Sequence, residues 1–274
     1  MTTIEAVLGY MHPPGERPYN YACEPPAGTP WENYAGDERL VCIRDARSAP
    51  APTSVHEEGF ALFDAPSAMR DFYARDDVLR LYYDEVAELA LAATGAARAI
   101  VFDHLLRRRE AGRGALGFGR AQKGVPAANG RVHNDYSEES GRHRLALVLG
   151  AQAAASNAAR FAIVNVWRSI KGPVLDTPLA LCDARSVDVA DLVRAEVRYP
   201  QRTGEIYLLK HAARHRWSYM PAMDRHEALV FKQYDSQAGG VARFTPHAAF
   251  DHPDAPPGAP LRESIEARCL VIYE

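Results

Sequence analysis

The sequence has little of what marks several protein classes. Its four cysteines, Cys23, Cys42, Cys182 and Cys269, lie far apart along 274 residues and form no C-x-x-C pair. That spacing argues against a zinc knuckle or a disulfide framework and leaves buried free thiols as the expectation. No window is apolar for the length that a bilayer span requires, and the first residues lack a basic segment followed by an apolar one. A cytoplasmic protein without membrane contact is therefore expected. Charge of one sign is also missing: the formal net charge is −3, and the densest basic run, Arg107-Arg108-Arg109 with Arg113, is short and has no interleaved aromatics. Nucleic acid is not an expected partner, and this run reads as a solvated loop near a pocket entrance. There is no internal repeat, and the only biased segment is the Pro-rich loop from Asp251 to Pro260.

What is present is an ordinary globular composition, 47% hydrophobic and 24% charged, with material for one large core or two small ones. Residues 1–66 are rich in proline and turn residues and carry only short extended pieces, Leu40 to Ile43 and Phe60 to Phe63; they read as an N-terminal wrap. Leu79, Tyr82, Val86, Leu89 and Ala93 recur at helical spacing, and Gly95 supplies a stop. One amphipathic, buttressing helix is predicted over 67–95, kinked near Arg75. From 98 to 274 the texture is of short β-rich pieces: Arg98 to Asp103, Ala162 to Trp167, Leu179 to Asp183, Glu205 to Lys210, Trp217 to Met220, Ala228 to Gln233 and Ile265 to Tyr273. Separated by Gly, Pro and Asp turns, they indicate an antiparallel sandwich or small barrel. A second helix is predicted over roughly Glu139 to Ala159. The whole is read as one domain.

The segment Arg131-Val-His-Asn-Asp-Tyr-Ser137 carries the chemistry. Side chains two apart on a strand emerge on one face, so His133 and Asp135 can converge on a metal. The bland alternative is a turn in which Asp135 caps the polar run that follows. Two histidines and one carboxylate, with open positions opposite, form the facial triad of non-haem Fe(II). His211, His215, His226 and His247 compete for the third place. His247 is favoured because it precedes "RESIEARCLVIY", where Arg262, Ser264 and Arg268 share a strand face. Buried arginines are costly unless an anion meets them, and a guanidinium fork matches a carboxylate. 2-Oxoglutarate is a dianion that can chelate Fe(II) and lay its 5-carboxylate on Arg262, with Ser264 and Arg268 assisting. An ion pair between Arg262 and Glu266 is the structural alternative. Trp167, Trp217 and Tyr219 can line a substrate cavity, although aromatics on strands more often build core.

Beyond these residues, "YACEPPAGTPWENY", "GFALFDAPSAMRDFYARDDVLRLYYDEVAELALAATGAARAIVFDHLLR", "RVHNDYS", "IVNVWRSIKGPVLDTPLALCDARSV", "HRWSYMPAMDRHEALVFKQYDS" and "FTPHAAFDHPDAP" occur in one order along most of the chain. In this the chain resembles the Fe(II)/2-oxoglutarate-dependent oxygenases related to cephalosporin 7α-methoxylase and to fungal meroterpenoid oxygenases, the hydroxylase/desaturase proteins. The resemblance implies an α/β protein with a mainly β core, a double-stranded β-helix of the jelly-roll, cupin-like kind with flanking helices and an N-terminal extension. It implies bound Fe(II), consumption of 2-oxoglutarate and O2, and a small-molecule substrate, often a secondary metabolite, that is hydroxylated, desaturated or otherwise oxidised. It also implies that Asn165 and Arg168, in a family-like motif, hold cofactor or substrate, and it admits a homodimer. Two departures stand out: Ser169 where W-R-P-I would have proline, and a long loop between His247 and Arg262.

Two other classes fit parts of the pattern. A non-catalytic binder on the same barrel would be expected to have lost a ligand, and all candidates are present. A zinc-dependent hydrolase could use His133, Asp135 and one further histidine around a metal-bound water, but it gives no reason for the arginine face.

Overall fold

The computed structural model describes residues 2–112, 114–115, 125–150 and 160–273. Two sheets face each other as a curled, half-closed barrel. The larger contains β1 (Thr3–His12), β2 (Tyr19–Tyr21), β3 (Ala35–Asp45), β6 (His133–Asn134), β8 (Leu179–Cys182), β9 (Leu192–Arg198), β10 (Thr203–Leu209), β11 (Trp217–Tyr219) and β13 (His247–Ala249). Its order is β1-β3-β11-β8-β13-β6-β10-β9-β2. The smaller contains β4 (Phe60–Asp64), β5 (Arg98–Arg108), β7 (Arg160–Ser169), β12 (Glu227–Asp235) and β14 (Glu263–Tyr273), in the order β4-β12-β7-β14-β5. Jelly-roll architecture and a mainly β core are as expected.

The smaller sheet shows why its strands read as apolar runs instead of alternating ones. Its outer face, with Val164, Val166, Val230, Ala267 and Cys269, packs on Val78, Tyr82, Val86 and Ala90. These four recur every fourth residue along α1 (75–94), a helix that includes one π turn at Val78–Tyr82. Both faces of the sheet are therefore buried, which removes the polar half of the usual strand pattern. On the inner face, each central strand carries a polar residue between apolar ones. Along β7 the inward residues are Ile163, Asn165 and Trp167; along β12, Phe231 and Gln233 lead into the bulge before Tyr234. Two apolar clusters result, one around Trp167, Leu181 and Phe231 and one around Ile163, Tyr234 and Leu270. A polar band lies between them.

Several sequence expectations need correction. α1 begins at Arg75, not at residue 67, because the Ser67 hydroxyl and the Ala68 N–H are taken by the Glu85 carboxylate (2.5 and 2.7 Å). The first 66 residues are woven into both sheets: β1 pairs with β3 antiparallel along its whole length, and β4 pairs with β12. β1 and β3 are ten and eleven residues long, and what the sequence could not supply is their pairing, which is long-range. The second helix, α2 (Glu138–Leu149), starts on a Ser137 capping box and ends before Gly150; residues 151–159 of the expected helix lie outside the described residues. Arg107 and Arg108 are the end of β5 and not a loop.

Candidate metal and cosubstrate site

β6 is only two residues long, yet it is the keystone of the site. It pairs with β13 so that His133 stands directly opposite His247, and the two rings lie 4.3 Å apart, centroid to centroid. Asp135 follows where the strand turns toward α2, its Oδ1 3.4 Å from His133 Nε2. One ligand atom from each of the three lies within 4.8 Å of the others. The turn is held by Asn134 and Gln233. Asn134 donates to the carbonyls of Tyr136 (2.7 Å) and Gln233 (2.8 Å) and accepts from the Thr245 N–H (3.0 Å). Gln233 accepts from the Asp135 N–H (2.7 Å) and donates to the Thr245 carbonyl (3.1 Å). These amides thereby tie the His133–Asp135 turn to the segment that presents His247. Capping of α2 falls to Ser137, which leaves the Asp135 carboxylate free of that task.

The protonation states suit metal binding. His133 Nδ1 lies 2.7 Å from the Arg131 carbonyl, a contact that places its proton there and leaves Nε2 to coordinate. Burial, and after it the neighbouring His133 ring, lowers the His247 pKa to about 3, so that this ring is neutral at ordinary pH. Burial opposes ionisation of Asp135, but the Arg268 guanidinium and the contact with His133 outweigh it and hold the carboxyl well below its usual range. The second oxygen, Oδ2, accepts from Asn165 Nδ2 (2.8 Å) and Arg268 Nε (3.1 Å).

Beside the triad is a pocket bounded by Arg107, Asn129, Trp167, Arg262 and Glu266, with both histidines at its end. Arg262 is 3% exposed. It donates one Nη1 bond to the Thr177 carbonyl (2.8 Å) and lies 5.7 Å from the centre of the Trp167 ring. Its Nε is buried with no hydrogen-bond partner. Burial first, then the neighbouring Arg107, lower its pKa to about 10, still a cation at neutral pH. An unpaired guanidinium face beside a second arginine fits the carboxylate of a bound anion.

Of the residues expected to bind cosubstrate, Arg262 reaches the pocket and makes no ion pair with Glu266. Ser264 is buried on β14 opposite Arg107 of β5. Arg268 is turned to another purpose: it donates to Asp135, to Asp103 (2.9 Å) and to Glu266 (3.0 Å). Asn165 supports the Asp135 carboxylate. Arg168, one residue out of phase with Asn165, emerges on the outer face and donates to Tyr82 Oη (3.2 Å) and the Ala65 carbonyl (2.9 Å), away from the pocket. Trp167 does line the pocket. Trp217 and Tyr219 do not: they pack with Leu8, Tyr10 and Phe250 on the other side of the larger sheet. His215 lies there too, between Tyr10 Oη (3.0 Å from Nδ1) and Asp191 (3.0 Å from Nε2), and His211 stands edge-on to the same Tyr10 ring. Neither is near the triad, and His226 is an exposed turn residue.

Asn129 and Gln233 were not singled out from sequence, and Arg107 was read only as part of a solvated loop near a pocket entrance. For Arg107 a signal existed: it stands two residues beyond Leu105, on the face that meets Glu266 and Ser264 across the sheet. Nothing local distinguishes Gln233.

A jelly-roll half-barrel with two histidines and an aspartate at its centre has the architecture of a non-haem metal-dependent oxygenase. A family model described as an oxidoreductase/YMDC permease-like domain matches residues 8–272; no helix among the described residues is long and apolar enough to cross a membrane. The hydroxylase/desaturase efuI of Hormonema carpetanum is 32% identical over 85% of this chain and 83% of its own length. The hydroxylase/desaturase CTB9 of Cercospora beticola is 32% identical over 99% and 96%. The solved structure of the iron and alpha-ketoglutarate-dependent endoperoxidase NvfI superposes with a TM-score of 0.86 at 27% identity, covering 99% of this chain and 98% of that one. The chain belongs to the family of Fe(II)/2-oxoglutarate-dependent dioxygenases and hydroxylase/desaturases, and is an oxidoreductase of that kind.

Proposed function

We propose that His133, Asp135 and His247 hold the Fe(II), that Arg262 with Arg107 anchors the 5-carboxylate of 2-oxoglutarate, and that the enzyme oxidises a C–H bond of a small secondary metabolite. The observation that carries this reading is the buried, unpaired Nε of Arg262 in a pocket that ends at the two histidines. Bound Fe(II) with 2-oxoglutarate and O2 supplies the oxidising power, with succinate and CO2 as by-products. The chain's own residues bind and orient. Gln233 and Asn134 fix the turn, Asn165 and Arg268 keep Asp135 ionised and directed, and Trp167 with Leu179 walls the cosubstrate from water. None of these side chains has to move a proton for C–H oxidation. The names of the relatives span hydroxylation, desaturation and endoperoxidation, so the outcome follows from how the substrate is seated.

The test is an anaerobic titration of the metal-free protein with Fe(II) and then 2-oxoglutarate, followed in the visible charge-transfer region. A band that requires both additions and is lost in His247→Ala supports the assignment. Iron bound without such a band would sink it.

A further inference from the structure

A second cavity, of about 460 Å3, borders the metal triad through Asp135 and Arg268 and lies between α2 and the β9–β10 hairpin. Its volume is that of a site for a drug-sized molecule. The wall is rich in charge, and the charges are not evenly committed. Asp103 and Asp135 share Arg268 (2.9 and 3.1 Å), which also meets Glu266 (3.0 Å). Glu196 is paired with Arg198 (3.0 Å), Glu205 with Arg17, and Glu139 with Arg194 (3.5 Å). Each of these carboxylates lies against an arginine, Asp103 and Asp135 against the same one. Two arginines of the same wall, Arg144 and Arg202, have no carboxylate partner among the described residues. Arg144 lies over the rings of Phe102 (5.0 Å) and Tyr136 (5.8 Å), with its Nε buried and without a hydrogen-bond partner. Arg202 stacks on Tyr199 at 4.0 Å.

A guanidinium over an aromatic ring spends no N–H donor on that contact, and its planar fork of donors matches a carboxylate. From this we infer that the oxidised substrate is an organic acid, whose carboxylate is received by Arg144 and Arg202 while its hydrocarbon body extends toward Asp135. This rests on the proposed metal site only for the direction in which the body points. The anion site itself is a property of α2 and the hairpin.

The experiment uses pairs of compounds that differ only in charge: naphthalene-2-carboxylate against its methyl ester, and decalin-2-carboxylate against its methyl ester. Binding to the full-length protein is measured by calorimetry, with and without saturating 2-oxoglutarate, in the native protein and in Arg144→Met and Arg202→Met. Methionine keeps much of the stacking volume, and Arg202→Met is a change at an exposed position, so a folded protein is expected. The acid should bind at least ~10-fold tighter than its ester, as one charge-assisted hydrogen-bond pair predicts. The preference should persist with 2-oxoglutarate present and collapse in both variants. Esters that bind as well as acids, no binding by any member, acid displaced by 2-oxoglutarate, or a preference that survives both substitutions would each overturn the inference. Failure of the metal assignment is read separately, because it removes the charge-transfer band and leaves acid binding unchanged.

Discussion

Asn165 holds Asp135. The 2.8 Å bond from its Nδ2 to the carboxylate Oδ2, reinforced by Arg268, leaves Oδ1 as the oxygen nearest His133. Removing a hydrogen bond to a metal-ligating carboxylate typically lowers metal affinity by about 10–100-fold. Asn165→Ala should show a loss in that range in Fe(II) titrations, with little change in the 2-oxoglutarate concentration needed once iron is saturating.

The arginine pair should behave in the opposite way. Arg262→Ala removes a buried charged donor, a change of about 1.5–3 kcal/mol, or roughly 10–100-fold. The concentration of 2-oxoglutarate required to develop the charge-transfer band should rise by that factor while Fe(II) affinity holds. Arg107→Gln should raise it less, by about 10-fold. An effect of Arg107→Gln confined to stability would assign this residue to packing instead.

Acid should unfold the metal-free protein in a manner traceable to His247. Its folded-state pKa of about 3 lies below the ordinary value of 6.5, so between these values the unfolded chain binds more protons. The stability it contributes is fully present above pH 6.5 and is lost as pH falls toward 3. In His247→Gln the fall in urea midpoint over that window should be shallower by nearly one proton, ~1.4 kcal/mol per pH unit at most. Asp135, also depressed, adds its loss only below the usual carboxylate range.

Gln233 and Asn134 link the two ligand-bearing segments. Gln233→Ala leaves the partly buried Asp135 N–H without its partner, at a cost of about 1–3 kcal/mol. Urea denaturation should report that loss, and Fe(II) affinity should fall with it even though Gln233 touches no metal.

Trp217→Phe and His215→Ala test the placement of the aromatic cluster on the far side of the larger sheet. Both should lower thermal stability, since Trp217 Nε1 donates to Tyr10 Oη (2.8 Å) in a closed cluster. Neither should alter the charge-transfer band. Loss of the band in His215→Ala would move the third ligand.

The H-x-D pair and the position of most strands were legible because each rests on local information, alternation along a strand and turn residues; Arg262 and, among four competing histidines, His247 were picked out by the high cost of a buried arginine without an anion. Period-2 parity also grouped Arg262, Ser264 and Arg268 on one face. It could not say what each would meet across the sheet: Arg268 meets Asp135, and Arg107 lines the pocket that Arg262 enters. The same limit separates Asn165 from Arg168, which sit on opposite faces of β7: parity divides them, but only the position of α1 tells which face is the outside.

The sequence alone determined the chemistry available, two imidazoles, one carboxylate and an arginine-bearing C-terminal strand, because side-chain type and strand periodicity are local properties. Tertiary structure decided which of the later histidines joins His133, since the pairing of β6 with β13 joins residues more than a hundred positions apart. It also decided that Trp217, Tyr219 and His215 belong to the outer cluster. Strand alternation is symmetric between the two faces of a sheet, and only packing against the second sheet breaks that symmetry.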